Sequence, residues 1–206
     1  MDHPSAENII DLYEHHADAW DTVRQHHFYE QKWLDKFRHA IIPHGKILDI
    51  GCGAGKPIAE YLLAQGHDLC GIDASPSMIN RCRQRFPDHH WQVADMRQLA
   101  LPEKFDGLLA WNSFFHLKRD DQRQMFNIFQ HHARANAILM FTSGPADGEA
   151  IGTFENQPLY HASLAPEEYR QLLHQYGFSV IDMQVEDPEC GLQTIWLAKY
   201  DAINLS

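Results

Sequence analysis

The chain has 206 residues, 17 Lys and Arg against 28 Asp and Glu, and a formal net charge of −11. With 44% apolar and 22% charged residues, it has a folded composition rather than a disordered one, and its length favours one domain with an appendage over two. The acidic balance argues against a nucleic-acid polyanion as partner, because phosphate contacts need a local Lys/Arg surplus.

Helical patterns and short apolar runs alternate along the chain, as expected of a parallel sheet covered on both faces. A first helix is predicted from Ala6 to Val23, with Ser5 as N-cap and Ile9, Leu12, Tyr13, His16 and Trp20 along one stripe. A second runs from His27 to Ala40, and Pro43-His44-Gly45 ends it. These two make residues 1–42 a helical cap on a core of residues 43–206, the whole being a single domain. Strand Lys46–Ile50 leads through a Gly-rich turn into a helix from Pro57 to Ala64, closed by Gly66. Asp68–Ile72 reads as the second strand, Ser77–Arg85 as a helix, His90–Ala94 as the third strand and Phe105–Trp111 as the fourth. A helix over Asp120–His132 has acids at its start and histidines at its end, as the macrodipole favours. Strand Ala137–Thr142 follows. Residues 143–165 are aperiodic and hold Gly, Pro and Ser, so they are expected to form a long loop over one sheet edge. A last helix, Pro166–Tyr176, precedes strands Phe178–Val185 and Gln193–Tyr200, whose tight connection makes them antiparallel.

Cys52, Cys70, Cys82 and Cys190 are far apart with no CxxC, so neither a disulfide framework nor a zinc finger is expected. No HExxH or Cys/His spacing suggests a metal. The start, MDHPSAEN, lacks the basic-then-apolar pattern of a signal peptide, and the run Ala137–Phe141 is far too short to span a bilayer. A soluble protein of the cytoplasm, without a membrane partner, is the expectation.

The segment Asp49-Ile50-Gly51-Cys52-Gly53-Ala54-Gly55-Lys56-Pro57 sets three glycines between a buried strand and a helix. Glycine suits a sharp turn where a ligand must touch main chain. Dinucleotide folds use GxGxxG, with the pyrophosphate on the helix N-terminus. Here Lys56 stands in place of the third glycine, and Pro57 has no N–H to offer a phosphate.

Asp49 followed by GxGxG resembles the first motif of the class I S-adenosylmethionine-dependent methyltransferases, and the likeness extends over roughly residues 10–200. It implies a Rossmann-like α/β fold: a doubly wound, seven-stranded, mostly parallel sheet with an antiparallel C-terminal strand. It also implies S-adenosyl-L-methionine as cofactor and S-adenosyl-L-homocysteine as product. Asp73, at the end of strand two and twenty-two residues after Gly51, stands where an acidic side chain meets ribose hydroxyls. The implied cofactor set is Asp49, Gly51, Cys52, Gly53, Gly55, Asp73, Ala74, Met78, Asp95, Met96 and Trp111. Asp95 either faces the adenine amino group or caps the turn after strand three.

In small-molecule members of that family, N-terminal helices cap the cofactor, and Tyr13 through Asp21 looks like such a cap. Trp20 and Arg24 are acceptor candidates there, one as an aromatic face for a sulfonium and the other as a carboxylate clamp. After strand four, Ser113, Phe115 and His116 occupy the stretch that lines the transfer site in related enzymes. His116 is the candidate general base, because imidazole titrates near neutrality. Tyr160 and His161 in the long loop are further acceptor candidates. The expected function is methyl transfer to a small-molecule acceptor. The alternatives are a protein that binds the cofactor without turnover and a nicotinamide-dependent oxidoreductase. Oligomeric state leaves no mark in the sequence.

Overall fold

The computed structural model describes residues 3–201. Seven strands form one sheet in the order β3-β2-β1-β4-β5-β9-β8, with β1 at Lys46–Ile50, β2 at Asp68–Asp73, β3 at His90–Val93, β4 at Phe105–Ala110, β5 at Ala133–Ser143, β8 at Phe178–Asp187 and β9 at Gln193–Tyr200. β1 pairs in parallel with β2 and β4, β2 with β3, and β4 with β5. β9 runs antiparallel to both β5 and β8. This is the expected doubly wound sheet with its reversed C-terminal strand.

Alternation along the central strands divides the core into two. Leu48 and Ile50 of β1, Leu108 and Ala110 of β4, and Leu139 and Phe141 of β5 pack with helices α6 (Arg119–His132) and α7 (Pro166–Gln175). Their neighbours Ile47, Leu109, Ile138 and Met140 face α3 (Gln31–Ala40), α4 (Ile58–Ala64) and α5 (Pro76–Arg85). Strands buried on both faces read as continuous apolar runs, which is why they were legible in the sequence.

Three expectations are corrected. The first helix breaks at His16 (φ −111°, ψ 26°) into α1 (Ile9–His15) and α2 (Ala17–Gln25), preceded by a 3₁₀ turn at Pro4–Asn8. His3, not Ser5, caps that turn: its ring accepts the Ser5 amide at 3.2 Å. The second helix starts at Gln31, because the Glu30 carbonyl accepts the first helical amides, those of Trp33 and Leu34, at 3.0 Å each.

The third correction concerns residues 143–165. They form an antiparallel hairpin, β6 (Gly148–Phe154) and β7 (Gln157–Ser163), rather than an irregular loop. Glu155 and Asn156 make its two-residue turn with φ of 48° and 59°. That is the mirror-image turn geometry that tight hairpins favour, here without the Asn-Gly pair that signals it in sequence. Pro158, inside β7, further hid the strand.

Candidate functional site

A crevice enclosing about 1280 Å³, its open mouth included, lies across the carboxyl ends of β1, β2, β3 and β4. Open α/β sheets bind ligands at that edge, where the strand order reverses. Its floor is the turn after β1. The Gly51 and Cys52 amides both donate to the Ile72 carbonyl, at 2.8 and 2.9 Å, which ties this turn to the end of β2. A Cβ on Gly51 would stand 2.3 Å from the Ser113 Cβ, so only glycine lets the ends of β1 and β4 approach this closely. Gly53 has φ +53°, and its open side meets only the Trp20 indole nitrogen, 3.7 Å from where a Cβ would be.

Asp73 closes β2 and orders this floor. Its carboxylate accepts the Gly53 amide and the Ser75 amide, each at 2.9 Å. Burial pushes its pKa up, against the pull of those amides. Asp49 is buried beneath, 2% exposed. Burial, then the charge of Asp73, pushes its pKa up to about 7 in spite of Arg24.

Helices α1 and α2 roof the crevice. Glu14 accepts hydrogen bonds from the Ser75 hydroxyl and from the Ser77 amide and hydroxyl, the last two at 3.0 and 2.7 Å. Arg85 of α5 grips Asp21 with two nitrogens at 2.7 and 2.6 Å, and Arg81 pairs with Asp18. Thus the roof is fastened to the helix that follows Asp73.

The wall after β4 is a 3₁₀ turn, Phe114–His116. The His116 Nδ1–H donates to the Tyr160 carbonyl at 2.8 Å, which leaves Nε2 to accept the Tyr13 hydroxyl at 2.9 Å. Burial, with His161 beside it, pushes the His116 pKa down to about 3. Burial and Asp73 push the Tyr13 phenol up. His116 is thus a neutral imidazole of lowered basicity whose Nε2 orients Tyr13.

Most of the residues singled out from sequence line this crevice: Asp49, Gly51, Cys52, Gly53, Asp73, Ala74, Met78, Asp95, Met96 and Trp111, with Trp20, Arg24, Ser113 and His116 on the roof and wall. For several of them, partners within the chain decide the task. Asp95 accepts the Arg97 amide at 2.9 Å and pairs with its guanidinium at 2.6 Å, so it caps the turn after β3. Arg24 is buried against Glu30 and donates to the His27 carbonyl at 3.3 Å, so it is no free clamp. The Ser113 hydroxyl is spent on the Ile50 carbonyl at 2.6 Å.

Gly55, Phe115, Tyr160 and His161 are off the crevice wall. A Cβ on Gly55 would meet Phe86 at 3.0 Å and Cys82 at 3.3 Å, so this glycine serves helix packing. Tyr160 is fully buried, with its hydroxyl on Glu149 at 2.8 Å, and the Phe115 ring lies tilted against that of His161. The Tyr160 ring turns inward because the hairpin register, unread in the sequence, places it there. The sequence reading also missed Glu7, Ile10, Lys56 and Lys118, which line the crevice. An N-terminal turn folded back over a strand end has no local signature.

Among the described residues no helix is long and apolar enough to cross a membrane, and no group of three or more His, Cys, Asp or Glu is placed to hold a metal ion.

A family described as "Methyltransferase domain" matches residues 47–136. An O-methyltransferase of Pyrenophora dematioidea is 27% identical over 164 residues, covering 73% of this chain and 61% of its own length. The chain therefore spans less than two thirds of that relative. Among solved structures, the 1,6-didemethyltoxoflavin-N1-methyltransferase of Burkholderia thailandensis, with its substrate and S-adenosylhomocysteine bound, superposes with TM-score 0.77 at 19% identity, covering 98% of this chain and 93% of that one. The magnesium protoporphyrin IX methyltransferase of Synechocystis, with S-adenosylhomocysteine bound, gives TM-score 0.74 at 16% identity, covering 96% of this chain and 100% of that one. In fold and in its first motif the chain is similar to the class I S-adenosylmethionine-dependent methyltransferases.

Proposed function

We propose that this chain binds S-adenosyl-L-methionine in the crevice and directs its methyl group to a small-molecule acceptor, releasing S-adenosyl-L-homocysteine. The observation that carries this is the Gly53 amide bonded to Asp73 over an open glycine floor. It sets bare main chain for an amino-acid end beside a carboxylate for ribose hydroxyls. Asp49 suits the cofactor's ammonium group, and Met78, Ala74 and Met96 suit its purine. When bound, the cofactor supplies an electrophilic methyl group on a sulfonium.

The chain's own part is to enclose and align. Tyr13 and Trp20 offer aromatic faces toward a cation, roughly 0.5–2 kcal/mol each. Aligning the acceptor at close range contributes several kcal/mol more. With Nε2 already accepting from Tyr13 and a pKa of about 3, His116 positions this wall rather than removing the acceptor's proton.

The small-molecule substrates named for the two structural neighbours, and the acidic net charge, support a small acceptor rather than nucleic acid. A single domain, with residues 1–42 capping residues 43–206, and a cytoplasmic location complete the proposal. Incubation with isotopically labelled cofactor and a metabolite extract, read by mass spectrometry, identifies the acceptor. Asp73→Ala is expected to weaken S-adenosylhomocysteine binding by about 1–3 kcal/mol, the loss of a charge-assisted hydrogen bond. Calorimetry showing unchanged affinity in a folded variant would remove Asp73 from the site, and tighter binding of NAD would replace the methyltransferase reading.

A further inference from the structure

The β6–β7 hairpin meets the crevice from two sides. At its base, the Tyr160 and Ala162 carbonyls accept from His116 at 2.8 Å and from Gln122 at 2.9 Å. At its tip, the Phe154 ring stacks on Tyr13 at 6.0 Å and lies edge-on to Trp20 at 5.6 Å. Tyr13 in turn bonds His116. The contacts close into a ring that runs from hairpin tip to roof, from roof to wall, and from wall back to hairpin base.

The roof needs such a tie. Helices α1 and α2 have seven and nine residues, too short to hold a helical position unaided. Their bonds through Glu14, Asp18 and Asp21 all reach the α5 side. On the hairpin side, Phe154 packs directly against the two roof rings that line the crevice.

We propose that Phe154 is a positioning residue, holding Tyr13 and Trp20 over the Gly-rich floor so that the β6–β7 insertion closes the crevice on its ligand. The nature of that ligand rests on the methyltransferase reading above, whereas the closure does not. Because its ring contacts with Tyr13, His16 and Trp20 hold the roof down, Phe154 governs how long the nucleoside stays and how the roof meets the acceptor.

The test uses the full chain and three variants: Phe154→Ala, Phe154→Tyr and, as a control on the exposed side of the same hairpin, Ile151→Ala. Hydrogen–deuterium exchange without ligand is expected to quicken across residues 9–25 in Phe154→Ala. Phe154→Tyr and Ile151→Ala should match the parent chain. Stopped-flow dissociation of S-adenosylhomocysteine is expected to be about tenfold faster in Phe154→Ala, the effect of losing its ring pairs with the roof, with the association rate within about twofold and wild-type behaviour in Phe154→Tyr. Faster exchange confined to residues 148–163, or an equal effect of Phe154→Tyr and Phe154→Ala, would overturn the proposal. If the parent chain fails to bind S-adenosylhomocysteine, the methyltransferase reading falls, and the exchange pattern alone decides the closure.

Discussion

Asp49 shows how a side chain's surroundings convert a motif position into a measurable property. At the end of β1 it is buried beside a second acid, Asp73, and Arg24, its nearest source of positive potential, is itself bound to Glu30. The carboxyl therefore holds its proton up to about pH 7. A ligand ammonium placed against it favours the ionised form, so binding below that pH must also expel a proton. The affinity for S-adenosylhomocysteine is expected to rise with pH up to about 7 and level off above it, changing by up to about tenfold per pH unit on the acid side. Calorimetric titrations from pH 5.5 to 8 on the parent chain and Asp49→Asn test this. The variant should bind more weakly and lose that slope, and an identical slope in both would take Asp49 away from the ligand. At this scale the sequence was informative wherever a residue ended a buried strand, as with Asp49 and Asp73. It was uninformative for Tyr160 and His161, whose direction depends on a hairpin register that no local pattern revealed.

The elements differ in legibility for a related reason. Buried strands and the α5 cap, where the Ser75 hydroxyl accepts the Met78 amide at 3.1 Å, carry local signals. The break at His16 does not, because distant partners impose it: Glu14 reaches the N-terminus of α5 while Asp18 and Asp21 reach its arginines. The two aspartates separate decoration from fastening. The Asp21 side chain is 6% exposed and gripped by Arg85 at two nitrogens, whereas that of Asp18 is 90% exposed. Removing the buried partner strands a half-buried guanidinium, so Asp21→Ala is expected to cost about 2–3 kcal/mol. Asp18→Ala should cost no more than about 0.5 kcal/mol, as exposed ion pairs do, and that small effect should vanish in high salt. Urea unfolding of both variants at low and high salt reads the difference, and equal losses would mean that α2 is not anchored through Asp21.

For the molecule as a whole, burying titratable groups under one roof ties stability to pH in two opposing directions. An unfolded chain protonates its histidines as pH falls through about 6.5, but folded His116 waits until about 3. Its contribution is therefore complete above pH 6.5 and drains away below it, by about 1 kcal/mol at pH 5.5. His132, fully buried with its ring between the Leu101 amide and the Ile128 carbonyl, is shifted in the same direction. Asp49 acts oppositely. Unfolded, it releases its proton near pH 3.9; folded, it keeps the proton until about 7, so acidification from pH 7 favours the folded chain. The two effects nearly offset between pH 7 and 5.5, and the urea midpoint of the parent chain is expected to be almost level across that range. Asp49→Asn removes the favourable half and should lose about 1–2 kcal/mol relative to the parent chain over the same interval. His116→Asn removes the unfavourable half and should leave a chain that grows more stable on mild acidification, whatever the cost of the substitution at pH 7. Parallel pH curves for all three proteins would mean that neither group changes its proton affinity on folding, and the enclosed, desolvated crevice inferred from the two of them would have to be given up.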